Sequence, residues 1–270
     1  MSAFLLLWRE ALLDALRRKL VAAIGAASLL SLMVLNNCAG CVPVAQVNGS
    51  RVEGANMAPI LGIVLMIVVG LWVVTLAGLL ASDHLAQSLE DGHAANALAR
   101  PVRREEFAFA RLAGSLSVAL AAGALLLGVT SFWLATRSGL PALPALLAGA
   151  ACGIACVTVA AFAMAASLVL PRIAIWLLVF GLVFITTLAA STVFWGPPAD
   201  PTQIGGARAL LMGLDRFGPP IASAMLRALA PWVPGSPLPA DFAAVFARGV
   251  VWAALGVGSL AAAFRRIELK

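Results

Sequence analysis

The chain has 270 residues, of which 62% are apolar and only 11% charged, and its formal net charge is +6. Soluble domains average roughly 45–50% apolar and about 25% charged, so a water-soluble fold of this composition would have too little polar surface to cover its core. Disorder is excluded by the same numbers, and an outer-membrane β-barrel by apolar runs that are continuous instead of alternating.

What remains is an all-α polytopic membrane protein, organised as a single transmembrane domain over residues 1–270. Residues 1–19 place Phe4, Leu5, Trp8, Leu12 and Leu16 near helical spacing, with Arg9, Glu10, Arg17 and Arg18 between them. That pattern predicts an amphipathic helix lying along a membrane face. A membrane-spanning helix needs about 20 mainly apolar residues, and six segments meet that requirement: 20–35, 58–81, 107–135, 143–170, 173–195 and 242–264. Spans four and five are separated only by Pro171 and Arg172. Run together they would make a helix of about 75 Å at 1.5 Å per residue, far longer than a bilayer core of about 30 Å, so the chain must fold back at Pro171. Residues 196–241 hold nine of the 15 prolines. Within them 207–217 and 221–229 read as short apolar helices on the outer interface or dipping into it, re-entrant pieces before the last span.

Basic residues beside apolar runs act as topology signals, so the positive charge implies no nucleic-acid partner. Twelve of the 18 Arg and Lys residues fall before span one, between spans two and three or just inside span three (Arg111), at the turn after span four, and after span six. The positive-inside rule puts those segments, and both termini, in the cytoplasm. Residues 82–106 are then a cytoplasmic loop and 196–241 a periplasmic one. The excess of Arg over Lys, with high Ala and Gly, is the usage of a GC-rich bacterial genome.

Several chemistries lack their residues. There is no G-x-x-x-x-G-K-[ST] phosphate loop and no H-E-x-x-H zinc motif. Intramembrane Ser and Thr have no ionisable partner at their depth, as a hydrolase would need. No charge stands near a span centre, where a proton- or sodium-driven carrier would place one. No catalytic or metal site is expected in this chain, and any energy source lies elsewhere.

The loop 82–106 is the most informative segment. Its first half is compatible with a helix, Leu85, Leu89 and Leu98 give it an apolar edge, and Pro101 stops it. Glu90-Asp91-Gly92, then Leu98, Pro101 and Arg104, followed by Arg111 within the next span, resemble the signature of ABC type-2 transporter permeases. His93 stands where that family usually has Thr, and Ala97-Leu98 where it has a Leu pair. The resemblance extends over nearly the whole chain, from the amphipathic start through six spans to the basic tail. It implies the membrane subunit of a bacterial inner-membrane exporter, working as a homodimer or paired permease. Asp83, Leu85, Leu89, Glu90, Asp91, Gly92, His93, Leu98, Pro101 and Arg104 would form the coupling helix that docks on separate ATPase subunits, which carry the MgATP. Membrane lipids, and a periplasmic accessory protein, are the remaining partners compatible with such a subunit. A non-transporting scaffold that passes ATP-driven motion to periplasmic partners is the rival reading, and a large outer domain, which would favour it, is missing.

Cys38 and Cys41 flank Ala39-Gly40 at the outer end of span one. Three readings stay open for them: a disulfide, strained by the two-residue gap; the tail of a lipobox, lacking its Leu; and metal binding, which needs further ligands. Cys152 and Cys156, four apart in span four with Gly149, Gly153 and Ala160, read as small packing residues. Trp133 and Trp195 fit an aromatic belt at the outer interface.

Overall fold

The fold is taken from a computed structural model of the chain, which describes residues 3–17, 33, 45–47, 50–52, 58–90, 104–195, 205–233 and 235–266. Among the described residues eight α-helices make up nearly all of the structure: α1 (Ala3–Arg17), α2 (Ala58–Glu90), α3 (Arg104–Ser138), α4 (Ala142–Ala166), α5 (Arg172–Phe194), α6 (Gly206–Phe217), α7 (Ser223–Leu229) and α8 (Phe242–Arg266). A 3₁₀ turn at Ala230–Trp232 follows α7. One small antiparallel ribbon pairs β1 (Ala45–Val47) with β2 (Ser50–Val52) in the register Ala45 opposite Val52. Five helices, α2 to α5 and α8, are long and apolar enough to cross a membrane. The chain is a multi-pass membrane protein. The first of the six expected spans, 20–35, lies outside the described residues except for Met33.

Local chemistry sets the helix ends. Pro59 sits in the first turn of α2 and Pro144 in that of α4, where a missing N–H costs nothing. Pro141 and Pro171 are the extended N-cap residues of α4 and α5. At the end of α4 the Ser167 hydroxyl donates to the Met164 carbonyl at 2.7 Å, and Pro171 then prevents the helix from continuing. The expected reversal occurs there, although α4 ends at Ala166, four residues short of the apolar run.

Helix α4 is the hub, packing most extensively on α2 and α8 and then on α3 and α7. Glycines let the helices approach closely, the usual device where lipid supplies no hydrophobic drive between them. A Cβ at Gly78 would meet Val159 at 2.9 Å and Val179 at 3.0 Å, and one at Gly123 would meet Val73 at 2.8 Å. Several span hydroxyls bond back onto their own helices: Thr75 donates to Leu71, Thr130 to Leu126, Thr158 to Ile154 and Thr186 to Leu182, each onto a carbonyl.

The two ends of the bundle differ. At one end α1 lies against α3: Ala11 is fully buried against Gly114, and Trp8 Nε1 donates to Ser117 Oγ at 3.1 Å. The end of α2, the starts of α3 and α5, and the end of α8 meet there. At the opposite end sit α6, α7 and the 3₁₀ turn, whose Trp232 donates from Nε1 to the Pro141 carbonyl at 2.9 Å. Helix α7 is packed inside the bundle rather than laid over it. Its Met225 is completely buried and fills the notch at Gly70, twelve residues into α2.

Candidate functional site

The loop expected to begin at Ser82 begins later. Helix α2 runs unbroken to Glu90, because nothing between Ser82 and Glu90 is Gly or Pro and a helix needs no apolar residue to propagate. With 33 residues it is about 50 Å long, some 20 Å more than a hydrocarbon core of about 30 Å. Its last two turns form a helical rod at the α1 end, and Leu85, Leu89 and Glu90 belong to that rod. Asp91, Gly92, His93, Leu98 and Pro101 lie outside the described residues, as do Cys38 and Cys41. Arg104 opens α3.

Asp83 was expected among the partner-binding residues, and the structure places it differently. Its side chain is 5% exposed, and Arg172 Nη2, at the start of α5, donates to its Oδ2 at 2.5 Å. Within this chain it forms an ion pair between α2 and α5. The Arg172 guanidinium also lies 5.3 Å from the centre of the Trp176 ring, which fixes its direction. The neighbouring His84 is 1% exposed, and its Nε2 lies 3.4 Å from Arg111 Nη1 on α3. Arg111 stands over Phe107 at 5.3 Å, and Phe107 stacks on Phe264 of α8 at 6.2 Å. Arg265 Nε then donates to Glu105 Oε1 at 2.5 Å. The root of the α2 rod is thereby tied to α5 through Asp83 and to α3 through His84, while α3 is tied to α8.

Sequence reasoning did not find this junction. Arg172 and Asp83 are 89 positions apart, and each alone reads as an ordinary residue at a span end. The one available signal was the pair Asp83-His84, directly after a long apolar run and still in helical register with it.

A second polar network ties the opposite end together. Arg227 on α7 donates from Nη2 to Asp215 Oδ2 at 3.2 Å and from Nε to Asp241 Oδ2 at 2.9 Å. Arg248 on α8 donates from Nη2 to the Asp215 carbonyl at 2.6 Å and from Nη1 to the Arg216 carbonyl. It so caps the C-terminus of α6, where carbonyls lack helical partners and a cation is favoured. A cavity of about 250 Å³ opens beside it, lined by Val193 and Phe194 of α5, Leu226 and Arg227 of α7, and Asp241.

A larger cavity lies between α3 and α4. It holds about 540 Å³, and its lining mixes leucines, Leu120 and Leu127 on α3 and Leu146 on α4, with small residues such as Gly123, Gly128, Gly149, Cys152 and Cys156. Cys152 and Cys156 are free thiols, and the Cys152 thiol bonds the Gly70 carbonyl at 3.5 Å. Among the described residues no group of three His, Cys, Asp or Glu is placed to hold a metal ion. Comparison of the chain with models of known protein families and with curated proteins gives no match.

Proposed function

We propose that this chain is the membrane-spanning permease subunit of an ATP-driven ABC exporter in a bacterial inner membrane, acting as two copies with separate ATPase subunits. The observation that carries the reading is the rod of α2. Helix α2 runs unbroken to Glu90 and leads directly into the Asp91-Gly92 half of the coupling signature.

A rod rooted in a buried ion pair is suited to transmit motion. A push by a nucleotide-binding partner on Leu89 and Glu90 would reach α5 through Asp83–Arg172 and α3 through His84–Arg111. No third residue need relay it. The α1 end is then cytoplasmic, and α6–α7 are the re-entrant pieces of the outer side, with Arg248 and Arg227 holding them on α8. ATP chemistry would belong wholly to the partner. The scaffold alternative has less support, since residues 205–233 are folded into the bundle instead of forming an outer module.

Buried apolar anchors at an interface cost about 2 kcal/mol or more when truncated, whereas rim charges cost less. Affinity purification of the tagged chain from its own membranes should recover an ATPase subunit. Leu89→Ala with Leu98→Ala should lower that recovery more than Glu90→Gln does. Equal recovery from all variants would make residues 82–106 an ordinary connector.

A further inference from the structure

Sulfur atoms from two helices converge on the backbone of a third in the middle of the bundle. Gly70 lies close to the midpoint of the span Ile60–His84, and Cys152 and Cys156 straddle the midpoint of Ala142–Ala166. With no side chain of its own, Gly70 leaves a notch in α2. Met225 of α7 enters it, its Sδ 3.2 Å from the point that a Gly70 Cβ would occupy, and Cys152 Sγ of α4 lies 3.8 Å from the same point. The Cys152 thiol donates to the Gly70 carbonyl at 3.5 Å, and the Cys156 thiol, one helical turn on, interacts with that of Cys152. All three side chains are buried, Met225 and Cys156 completely. We infer that Cys152, Cys156 and Met225 form a binding site for a soft monovalent cation, cuprous ion foremost, which would fasten α7 to α4.

The donor set selects the ion. Thiolate and thioether sulfurs favour soft metals such as Cu(I), whereas structural zinc takes four ligands in a tetrahedron, and this set offers three. Charge decides the same way. An uncompensated charge within the hydrocarbon is costly. One thiolate, one thiol and one thioether neutralise a monovalent ion exactly once and leave a divalent ion charged. On binding, a metal–sulfur bond forms at one cysteine as its S–H bond breaks, and the proton passes to the base of the surrounding buffer. The other thiol and the thioether each share a lone pair, and nothing is oxidised or reduced.

The geometry needs only small adjustments. Three sulfurs around one ion stand about 4 Å apart when each metal–sulfur bond is about 2.3 Å, as in zinc thiolates. Positions i and i+4 put the two cysteines on one helix face. Methionine is unbranched, with three rotatable bonds, so Met225 can close the set by turning its own side chain. Gly70 is a positioning residue, because a Cβ there collides with the Met225 methyl. The site does not depend on the chain being an exporter.

The test uses the full chain in detergent with Cys38→Ser and Cys41→Ser, which leaves Cys152 and Cys156 as its thiols. The probe is Cu(I), buffered anaerobically with bicinchoninate. One Cu(I) per chain should survive gel filtration, X-ray absorption should show three sulfur neighbours, and the melting temperature should rise, as it does when a ligand binds only the folded state. Zn(II) at the same concentration should not be retained. Losing a mere hydrogen-bond partner of a metal ligand costs about 10–100-fold in affinity, so Cys152→Ser and Cys156→Ser should each cost at least about 100-fold and Met225→Leu at least about 10-fold. Met164→Leu, also fully buried on α4 but two turns beyond Cys156, should bind as the parent does, which separates loss of a ligand from a loosened core. A parent that retains no Cu(I), or retains Zn(II) in its place, would overturn the site. So would Met225→Leu binding as tightly as the parent, or Met164→Leu losing as much affinity as Met225→Leu.

Discussion

Asp83 and Arg172 form an asymmetric pair, the carboxylate 5% exposed and the guanidinium 62% exposed. The asymmetry decides which deletion hurts. Arg172→Gln strands a buried carboxylate that already has one oxygen, Oδ1, without a hydrogen-bond partner, whereas Asp83→Asn removes the charge and releases an arginine that water can solvate. Leaving a buried polar group unsatisfied costs about 1–3 kcal/mol, more when it is charged. Thermal unfolding in detergent should therefore rank wild type above Asp83→Asn and Asp83→Asn above Arg172→Gln; the reverse order of the two variants would mean that Asp83 is protonated in the fold. Gly70 gives a second residue-scale expectation. Any side chain there collides with Met225, and overpacking of this kind costs about 1–3 kcal/mol. Gly70→Leu should lower the melting temperature, and adding Met225→Ala should restore much of the loss.

Among the elements, the spans were legible and their junctions were not. An apolar run must be about as long as the hydrocarbon is thick, so residues 107–135 and 242–264 found the helices Arg104–Ser138 and Phe242–Arg266 to within a few residues. Apolarity is silent beyond the bilayer, which is why the expected span ended at Ala81 while backbone hydrogen bonding carried α2 to Glu90. The two pieces between spans five and six were foreseen from their prolines. The burial of Ser223 to Leu229 was not, because it depends on the Gly70 notch in a helix more than 150 residues earlier. Pairings such as Arg248 with the α6 carbonyls likewise leave no periodic trace in a sequence. They do make a prediction at this scale. Arg248→Met leaves the last carbonyls of α6 uncapped, so amide exchange over 206–217 should quicken while that of α4 stays unchanged. Arg248→Lys, a single point donor in place of a fork, should restore only part of the protection.

At the scale of the whole molecule, the bundle has two unlike ends: one where α1, the end of α2, the starts of α3 and α5 and the end of α8 converge, and one closed by α6, α7 and the 3₁₀ turn. This polarity fits the charge distribution that assigns the first end to the cytoplasm. Reporters fused after Lys270 and within 91–99 should report one compartment, and a reporter within 197–201 the other; agreement of all three would break the topology. The central claim is that nucleotide in a partner moves this chain. A cysteine-free variant carrying Ser88→Cys, spin-labelled on the α2 rod and purified with its ATPase subunit, tests that claim most directly through the distance between the labels of the two copies. Trapping with ATP and vanadate should shift that distance by several ångströms relative to the nucleotide-free complex, and ADP alone should leave it unchanged. An identical distance distribution in all three states, or a chain that purifies as a single copy with no ATPase bound, would contradict an ATP-driven permease.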